Sequence, residues 1–417
     1  MRHQTTGRRH QPLAVLLSPR PAEVAAARRA GARTVVVAPD PDVPSDREGA
    51  ERRVRTDWRD HRRLVGAVAD LAEVRDGRAA VFGFDPATAL AAARANAALG
   101  LTGTPPSAVL ALRDKAALRV LSNTLYPTRP VSFARCGRAS LLPFLTTLIG
   151  YPCVIKPRAG AHGEGVRLVH DEAGARTAVP DYPEVTDLLV EEYLEGPALT
   201  VEALSREGRH RVLGWSRRLP GPALTAGGHE APVALDAPLA EAVRALVRGT
   251  LDLAGHHDGP SHAEVVLTDR GPRLVEAHAR PGGEELTQLL RLAHGTDVLA
   301  LALAAGLSLP DPPRRPRATH AGLRYVDFPP GLRLAEAAPA LARARALPGV
   351  VRVRLQVPPD ATVRSAPTGT LHHAHLMATA PTAAALTRVL DGAAALLLQG
   401  PGRAGPRAAR QGDCGLA

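Results

Sequence analysis

The N-terminal quarter of the chain alternates short apolar runs with stretches of helical periodicity. Continuous apolar runs predict buried strands at residues 13–17, 34–38 and 79–83. Helical spacing predicts one helix over residues 60–74, and an alanine-rich stretch predicts another over 86–99. Because strands and helices alternate through short links, this region is predicted to form a small parallel α/β domain.

Later segments carry signals of both helices and antiparallel strands. The breaker-rich stretch TGTPPS at residues 102–107 marks a boundary, and helices are predicted at 107–121, 237–253, 285–307 and 382–398. Strands are predicted at 151–157, 166–169, 188–190, 200–205, 212–216 and 350–357. A hairpin is predicted between strands 261–268 and 272–278, because the residues between them, DRG, are a turn signal.

Composition and charge exclude several classes of protein. The 417 residues, 45% of them hydrophobic, allow roughly two to four domains and exclude a mainly disordered chain. The longest apolar run, 298–309, falls short of the roughly 18–20 residues that span a bilayer, so no membrane partner is expected. The net charge of +11 is compatible with nucleic-acid binding, but the arginines are dispersed and aromatic residues make up only 3%. A solvated arginine-rich surface is therefore the preferred interpretation.

Cysteine usage indicates the compartment. The three cysteines, Cys136, Cys153 and Cys414, form no CxxC pair and no even framework. This usage is typical of a reducing environment and argues against a structural zinc site. We therefore expect a cytoplasmic protein.

Lysine is nearly absent, which makes its two occurrences informative. Of the 52 basic residues only Lys115 and Lys156 are lysines, and the other 50 are arginines. A compact ammonium binds phosphate as a point charge, whereas a guanidinium is a wide planar fork. Chance survival of two lysines is the alternative to a phosphate-binding role.

A glycine-rich segment follows Lys156. Residues 158–165 read RAGAHGEG and join two predicted strands, and no GxxxxGK[ST] is present, which excludes a P-loop. Gly160, Gly163 and Gly165 allow a flexible flap whose backbone N–H groups close over phosphates. An ordinary glycine-rich turn is the alternative, and the strand-end position of Lys156 favours the flap.

The predicted hairpin carries a group of charged side chains. Side chains alternate along a strand, so Glu276 and His278 share one face, and Glu264 reaches that face from the partner strand. Two carboxylates beside a polyphosphate are typical of a Mg²⁺ site. Arg280 projects toward the same ions, where a guanidinium stabilises developing negative charge. An exposed hairpin with solvated acids is the alternative, which the apolar neighbours of these residues do not favour.

In this order along residues 12–398, the motifs resemble the ATP-grasp superfamily. They are RDKAALR around Lys115, VIKPRAGAHGEGV around Lys156, then LLVEEYLEG, TVE, and AEVVL followed by LVEAHARPGG. Within the superfamily the chain is similar to carboxylate–amine ligases, especially bacterial L-amino-acid ligases that make dipeptides. The stretches ALPGVVRVRLQVPPDATV and GTLHHAHLMATAPTAAAL resemble their closing domain. The shared core also resembles biotin carboxylase and the purine-pathway carboxylases.

The resemblance implies a fold and a domain order. It implies an α/β protein, α+β in its core, with an N-terminal parallel α/β domain, an ATP-grasp core of two subdomains and a small C-terminal α+β domain. The implied segments are a disordered basic leader (1–11), the N-terminal domain (12–104), the small subdomain with the glycine flap (105–187), the large subdomain (188–318), the closing domain (319–399) and a disordered tail (400–417).

The resemblance also implies roles for individual residues. The implied nucleotide-binding residues are Lys115, Lys156, Gly160, His162, Gly163, Gly165, the adenine hinge Glu191, Glu192, Tyr193 and Leu194, and Glu202. The implied metal ligands are Glu264, Glu276 and His278, and Arg280 is the implied catalytic residue at the acyl phosphate. The implied substrate contacts are His229, Glu230, Gly282 and Gly283, with a surface-loop histidine as the alternative for His229.

Two positions depart from the family pattern. Histidine stands at position 278 where the family usually has asparagine, and because imidazole is a softer ligand this admits Mn²⁺ as well as Mg²⁺. Ala198 stands where the family often has an acid that binds ribose, and Glu202 is the predicted substitute.

The function implied by the resemblance is ATP-dependent ligation. ATP would phosphorylate a small-molecule carboxylate, giving an acyl phosphate and ADP, and an amine would then displace phosphate to form an amide. The implied cofactors are ATP and Mg²⁺, and the implied assembly is a homodimer. Two alternatives stay open: a carboxylase that activates bicarbonate, and a non-catalytic nucleic-acid binder on the same scaffold.

Overall fold

The computed structural model describes residues 11–40, 50–160, 163–221, 224–315, 319–363 and 372–398. Within these ranges the strands form three sheets, one of four parallel strands, one of four antiparallel strands and one of eight antiparallel strands. The predicted leader (1–11) and tail (400–417) lie almost entirely outside the described residues.

The N-terminal sheet is parallel, with the strand order β3-β2-β1-β4. Its strands are β1 (Leu13–Leu17), β2 (Arg33–Ala38), β3 (Arg52–Arg55) and β4 (Ala79–Phe82), and its helices are α1 (Pro21–Ala30), α2 (His61–Ala69), α3 (Ala72–Arg75) and α4 (Pro86–Leu99). The single helix predicted over residues 60–74 is in fact two helices. The edge strand β3 was not predicted, because its sequence RRVR contains one apolar residue.

The second sheet is antiparallel, with the strand order β5-β8-β6-β7. Its strands are β5 (Phe133–Arg138), β6 (Cys153–Pro157), β7 (Arg167–Val169) and β8 (Val185–Glu192), and the nearby helices are α5 (Pro106–Arg113), α6 (Lys115–Thr124), α7 (Leu142–Ile149) and α8 (Glu172–Ala178). The helix predicted over residues 107–121 breaks at Asp114, whose carboxylate accepts the N–H groups of Ala116 and Ala117. This break makes Lys115 the first residue of α6.

The largest sheet has the strand order β13-β12-β9-β10-β11-β14-β16-β15, and all its pairs are antiparallel. Its strands are β9 (Ala198–Arg206), β10 (Arg209–Pro220), β11 (Ala226–Ala231), β12 (Gly259–Thr268), β13 (Gly271–His278), β14 (His320–Val326), β15 (Val350–Leu355) and β16 (Ala374–Ala380). Its helices are α9 (Ala237–Leu253), α10 (Glu284–His294), α11 (Val298–Gly306), α12 (Ala338–Ala346) and α13 (Ala383–Leu398). The predicted hairpin is the pair β12–β13.

One long predicted helix is interrupted in the structure. Gly295 has a φ of 66°, a left-handed conformation that ends α10, so residues 285–307 form two helices instead of one. None of the helices in the described ranges could cross a membrane alone; α10 and α11 are long and apolar enough only as a pair, and they are bent by 101° at the break between them.

The C-terminal strands extend the largest sheet. Strand β14 pairs with β11 on one side and with β16 on the other. Helices α12 and α13 cover this end of the sheet and enclose a core that includes Leu341, Leu376 and Leu390. The combination of a parallel α/β sheet with antiparallel α+β sheets confirms the predicted fold class, whereas the domain boundaries stay predictions.

Candidate active site

Two carboxylates face each other across the β12–β13 hairpin. Glu264 and Glu276 are directly opposite in the strand register, so both side chains lie on the same face of the large sheet. Burial, followed by repulsion from Glu276, raises the pKa of Glu264. Burial also opposes ionisation of Glu276, but His278 and Lys115 outweigh it and lower the pKa of Glu276. Two partly buried carboxylates in this position are oxygen ligands of the kind that Mg²⁺ prefers.

His278 is engaged with neighbouring side chains. Its Nε2 lies 3.3 Å from Glu276 Oε1, and its ring is parallel to that of His262 with centroids 6.4 Å apart. Across the part of the chain that the structure describes, no three His, Cys, Asp or Glu side chains converge on a point that could hold a metal ion. His278 is hydrogen-bonded to Glu276 and stacked on His262, and the three-ligand set of Glu264, Glu276 and His278 stays a prediction.

Lys115 connects the glycine segment with the carboxylate pair. Its Nζ lies 3.7 Å from Glu276 Oε2 and donates a hydrogen bond to the Gly160 carbonyl at 3.2 Å. Arg158 supports this position, because its Nε donates to the Asp114 carboxylate at 2.7 Å and that carboxylate caps α6. The Arg158 guanidinium also lowers the pKa of Asp114. A phosphate lying between the glycine segment and Glu276 would meet the Lys115 ammonium.

Lys156 forms a buried ion pair with Glu191 on the neighbouring strand. It is 4% exposed, and burial lowers the pKa of Lys156 although Glu191 opposes this. Arg119 on α6 donates to Glu191 at 3.1 Å and to the Leu274 carbonyl at 2.6 Å. Burial disfavours the charged form of Glu191, but Lys156 and Arg119 outweigh it and lower the pKa of Glu191. Sequence reasoning missed Arg119, because one arginine among 50 carries no signal of its own.

The segment predicted to form the adenine hinge begins as the end of β8. The Glu192 amide donates to the Ser132 carbonyl at 3.0 Å, and the Tyr193 amide donates to the Pro152 carbonyl at 3.1 Å. These two amides are therefore already bonded within the protein, and the adenine-binding role of the segment stays a prediction. The Leu194 side chain is buried.

The described part of the glycine segment has a backbone that glycine permits. Gly160, Gly163 and Gly165 have φ angles of 150°, 72° and 68°, which residues with a Cβ rarely adopt. Tyr182 donates a hydrogen bond to the Gly165 carbonyl at 2.8 Å and holds one end of the segment. His162, which the resemblance also assigned to nucleotide binding, lies outside the described residues.

Arg280 lies in the turn between β13 and α10. Its Nη1 donates to the Pro281 carbonyl at 2.7 Å, and its buried Nε has no hydrogen-bond partner within the described ranges. Burial lowers the pKa of Arg280, although the negative charges of Glu202 and Glu276 oppose this. A buried guanidinium N–H without a partner, close to the carboxylate pair, fits an anionic ligand that is also bound to those carboxylates.

Glu202 has partners other than the ribose predicted for it. It is 1% exposed, and its carboxylate accepts hydrogen bonds from His262 Nδ1 at 2.6 Å and from the Gly282 amide at 3.0 Å. Gly282 and Gly283 complete the turn that carries Arg280, and Gly283 immediately precedes α10. Because this carboxylate is buried and bonded within the protein, nothing in its surroundings supports the ribose contact, which stays a prediction.

The predicted substrate contacts His229 and Glu230 lie on opposite faces of β11, because neighbouring residues of a strand alternate. His229 is buried, which excludes the surface-loop alternative, and its Nδ1 has no partner among the residues that the structure describes. Burial lowers the pKa of His229 to about 3, so the ring is neutral. Tyr325 meets this ring edge-on with centroids 6.0 Å apart. Glu230 pairs with Arg217 on the other face.

Arg218 is a further residue of this site that sequence reasoning missed. It is directly opposite His229 in the register of β10 and β11, and its positive charge acts on His229, Glu264 and Tyr325. Two positions before it on the same face, Ser216 bonds Thr200, which is the register partner of Glu264. The alternation of side chains along β10 puts Arg218 and Ser216 on one face. Only the strand order shows that this face is the one that carries His229 and Glu264.

Two family models match the chain. A model described as the ATP-grasp domain matches residues 149–288, and a model described as L-amino acid ligase C-terminal domain 2 matches residues 336–398. The first range contains Lys156, the carboxylate pair and Arg280. The second contains α12, α13 and the last two strands of the large sheet.

Individual proteins resemble the chain over different lengths. Carnosine synthase 1 of Gallus gallus is 28% identical over 238 residues, which are 51% of this chain and 25% of that protein, so the match spans about a quarter of this relative. The structure of an L-amino acid ligase from Bacillus licheniformis matches with a TM-score of 0.72 at 21% identity, covering 92% of this chain and 97% of that chain. N5-carboxyaminoimidazole synthase from Aspergillus clavatus, solved with ADP and 5-aminoimidazole ribonucleotide, has a TM-score of 0.71 at 14% identity, covering 93% and 99%.

At these identities the structural matches establish the fold, and the family models add the sequence evidence. Both agree with the order of motifs along the chain and with the three observed sheets. Residues 149–288 thus match the ATP-grasp domain, residues 336–398 match the C-terminal domain of L-amino acid ligases, and the chain as a whole has the fold of these enzymes.

Proposed function

We propose that the protein is an ATP-dependent ligase that joins amino acids, or related small acids and amines, through an acyl phosphate. The observation that carries the proposal is one arrangement on the large sheet. Glu264 and Glu276 are opposed, Lys115 lies against Glu276, and Arg280 has a buried Nε without a partner within the described ranges. Carboxylate oxygens for a divalent cation and cationic groups for phosphates are thus combined in one site.

The relatives support an amine as the acceptor. One family model bears the name of L-amino acid ligases, and one relative is a carnosine synthase. The acid and the amine would both be small molecules. The homodimer and the cytoplasmic location expected from the sequence stay predictions.

The proposed reaction has two steps, and the chain supplies charge in both. The γ-phosphoryl group of ATP passes to the substrate carboxylate, and the amine then attacks the carbonyl carbon and releases phosphate. Lys115 and the N–H groups of the glycine segment neutralise the phosphates, and Lys156 adds the N–H donors that Glu191 does not occupy. Arg280 stabilises the charge on the acyl phosphate and on the tetrahedral intermediate. Because ATP activates the acid, no nucleophilic side chain is needed.

The carboxylate pair fits a divalent cation. Mg²⁺ bound there would neutralise the phosphate oxygens during transfer. Glu264 and Glu276 would hold the cation from one face of the hairpin, and the Lys115 ammonium lies 3.7 Å from Glu276 Oε2. Whether Mn²⁺ substitutes for Mg²⁺ depends on His278, which is 3.3 Å from Glu276 Oε1.

A carboxylase is the second candidate. The Aspergillus clavatus synthase matches this chain with a TM-score of 0.71, next to 0.72 for the Bacillus licheniformis ligase, so the fold favours neither. In a carboxylase the same groups would act on bicarbonate. The two candidates therefore differ in the acid that is phosphorylated.

The test is phosphate release from ATP and Mg²⁺ across pairs of amino acids, with mass spectrometry of the products. We expect ADP, phosphate and an amide in equal amounts without bicarbonate, and loss of all three in Glu276→Gln. Phosphate release that needs bicarbonate but no amine would replace the ligase with the carboxylase. Absence of turnover under every condition, with salt-dependent binding to random DNA, would favour the nucleic-acid alternative.

A further inference from the structure

The buried carboxylate of Glu202 connects two parts of the site that are far apart in sequence. It lies on β9, and it accepts the Gly282 amide with both oxygens, at 3.2 Å and 3.0 Å. It also accepts His262 Nδ1 at 2.6 Å from the neighbouring strand β12. The turn after β13 is therefore bonded directly to an interior strand of the sheet.

The fit around Gly282 is tight. A Cβ added there would lie 2.4 Å from Glu202 Oε1, 3.0 Å from His262 Nδ1 and 3.1 Å from Leu286 Cδ1. Glycine at position 282 is therefore required by the close approach of the Glu202 carboxylate. Arg280 is two residues away in the same turn, where its Nη1 bonds the Pro281 carbonyl.

The other partner of Glu202 leads to the carboxylate pair. His262 packs its ring parallel to His278, and His278 Nε2 lies 3.3 Å from Glu276 Oε1. Glu202 thus contacts, directly or through one imidazole, both the turn that carries Arg280 and the strand that carries Glu276. Because the Glu202 carboxylate is bonded on both sides, it sets the distance between the Arg280 turn and the strand that carries Glu276.

We propose that Glu202 is a positioning residue that fixes the Arg280 turn against the carboxylate pair and so keeps ATP cleavage coupled to amide formation. The inference rests on the proposed ligase function. If the turn loosens, Arg280 no longer covers the acyl phosphate, and water competes with the amine for the activated carbonyl. Loss of the Glu202 contacts is therefore expected to cause ATP hydrolysis without amide formation, and not to weaken ATP binding.

Hydrogen exchange of backbone amides tests, without any enzymatic assay, whether Glu202 fixes the turn that carries Arg280. In Glu202→Gln an amide NH₂ replaces one oxygen and accepts no hydrogen bond, so either the Gly282 amide loses its acceptor at 3.0 Å or His262 loses its acceptor at 2.6 Å. We expect at least tenfold faster exchange in peptides spanning residues 279–286, with unchanged exchange in the N-terminal sheet. Asp252→Asn is the control, because it alters a different carboxylate–imidazole contact, 3.1 Å between Asp252 on α9 and His210 on β10 of the same sheet.

The ratio of phosphate released to amide formed tests whether Glu202 keeps ATP cleavage coupled to amide formation. We expect a ratio near one for the wild type and at least threefold higher for Glu202→Gln, while KM for ATP stays within about twofold. A residue that only stabilised the fold would lower all rates together and leave the ratio unchanged. If Glu202→Gln does not fold, Glu202→Asp provides the same comparison with the charge retained and a shorter reach.

A compensating pair makes the contact itself testable. Gly282→Ala should raise the ratio, because its Cβ collides with Glu202 Oε1. Adding Glu202→Asp withdraws the carboxylate by one methylene, so the double variant should be better coupled than Gly282→Ala alone. A double variant that is worse than both single variants would show that the Glu202–Gly282 contact does not set the coupling.

The outcomes separate this inference from the proposed function. Unchanged exchange at residues 279–286, or a raised exchange with an unchanged ratio, would overturn the role of Glu202 while the ligase stands. If the wild type forms no amide with any pair, the ligase proposal and the coupling role fail together, and the exchange data alone decide whether Glu202 holds the turn.

Discussion

Lys156 and Glu191 form an ion pair inside the protein, with side chains only 6% and 5% exposed. The pair joins the end of β6 to the end of β8, and Arg119 adds a second cation to the same carboxylate at 3.0 Å. Removing one member of a buried pair leaves an uncompensated charge, which costs several times what an exposed pair contributes. Lys156, one of the two lysines of the chain, thus occupies a buried position where the shape of the cation matters as well as its charge.

The first prediction concerns the shape of this cation. We predict that Lys156→Arg lowers ATP affinity or turnover at least tenfold, or about 1.4 kcal/mol. Arginine keeps the charge, but its planar fork needs room that Arg119 already occupies beside Glu191. Calorimetric titration with an ATP analogue and a turnover assay measure the effect, with Arg209→Lys at an 87% exposed side chain as control. Parent-like binding and hydrolysis would refute the argument from the two lysines.

The second prediction concerns the metal. If His278 joins the metal shell when a cation is bound, activity should favour Mn²⁺ over Mg²⁺, because imidazole suits the softer ion. His278→Asn should then restore a preference for Mg²⁺ without unfolding the protein. The ratio of activities with the two metals is the measurement, and a ratio that does not change places His278 outside the metal shell.

The third prediction concerns the glycine flap, residues 159–165. A loop that closes over phosphates should be open to proteases when empty and protected by an ATP analogue with Mg²⁺. Gly163→Val should abolish or uncouple the reaction, because Gly163 has a φ of 72° and valine at such an angle is strained. Limited proteolysis with and without nucleotide is the assay. Protease sensitivity that ignores nucleotide would identify the segment as a structural turn.

The fourth prediction concerns the start of α6. Arg158 lowers the pKa of Asp114, so the folded state gains stability above the unfolded pKa of roughly 4 and loses it as pH falls through the lower folded value. Asp114→Ala should therefore reduce the free energy of unfolding by about 1 to 2 kcal/mol at pH 7. The reduction should shrink at acid pH, since the wild type then loses the same interaction.

Urea unfolding at pH 7 and near pH 3 tests this fourth prediction. Asp171→Ala is the matched control, because Asp171 caps α8 by accepting the Gly174 amide at 2.7 Å. Both variants remove a helix N-cap, so a larger loss for Asp114→Ala reports its additional bonds, to Arg158 and to a second backbone amide. An equal loss at both pH values for Asp114→Ala would show that the pairing with Arg158 adds nothing to the cap.

Local patterns were enough for much of the architecture. Apolar runs alternating with helices identified the parallel N-terminal sheet, and alternation around a three-residue turn put Glu264 and Glu276 on one face of a hairpin. The order of motifs led to the superfamily. Helix limits failed where one residue overrides periodicity, as at Asp114, which caps a new helix, and at Gly295, which ends one.

By itself, then, the sequence determined the fold class, the likeness to the ATP-grasp domain and the opposed carboxylates, because each depends on residues close together in the chain or on motif order. Only the tertiary structure decided which side chains meet across long separations. Glu202 bonds an amide 80 residues away, and Arg119 bonds a carboxylate 72 residues away. Strand order also put Arg218 of β10 opposite His229 of β11. Such pairs follow from how sheets stack in register, and no local pattern encodes which strands become neighbours.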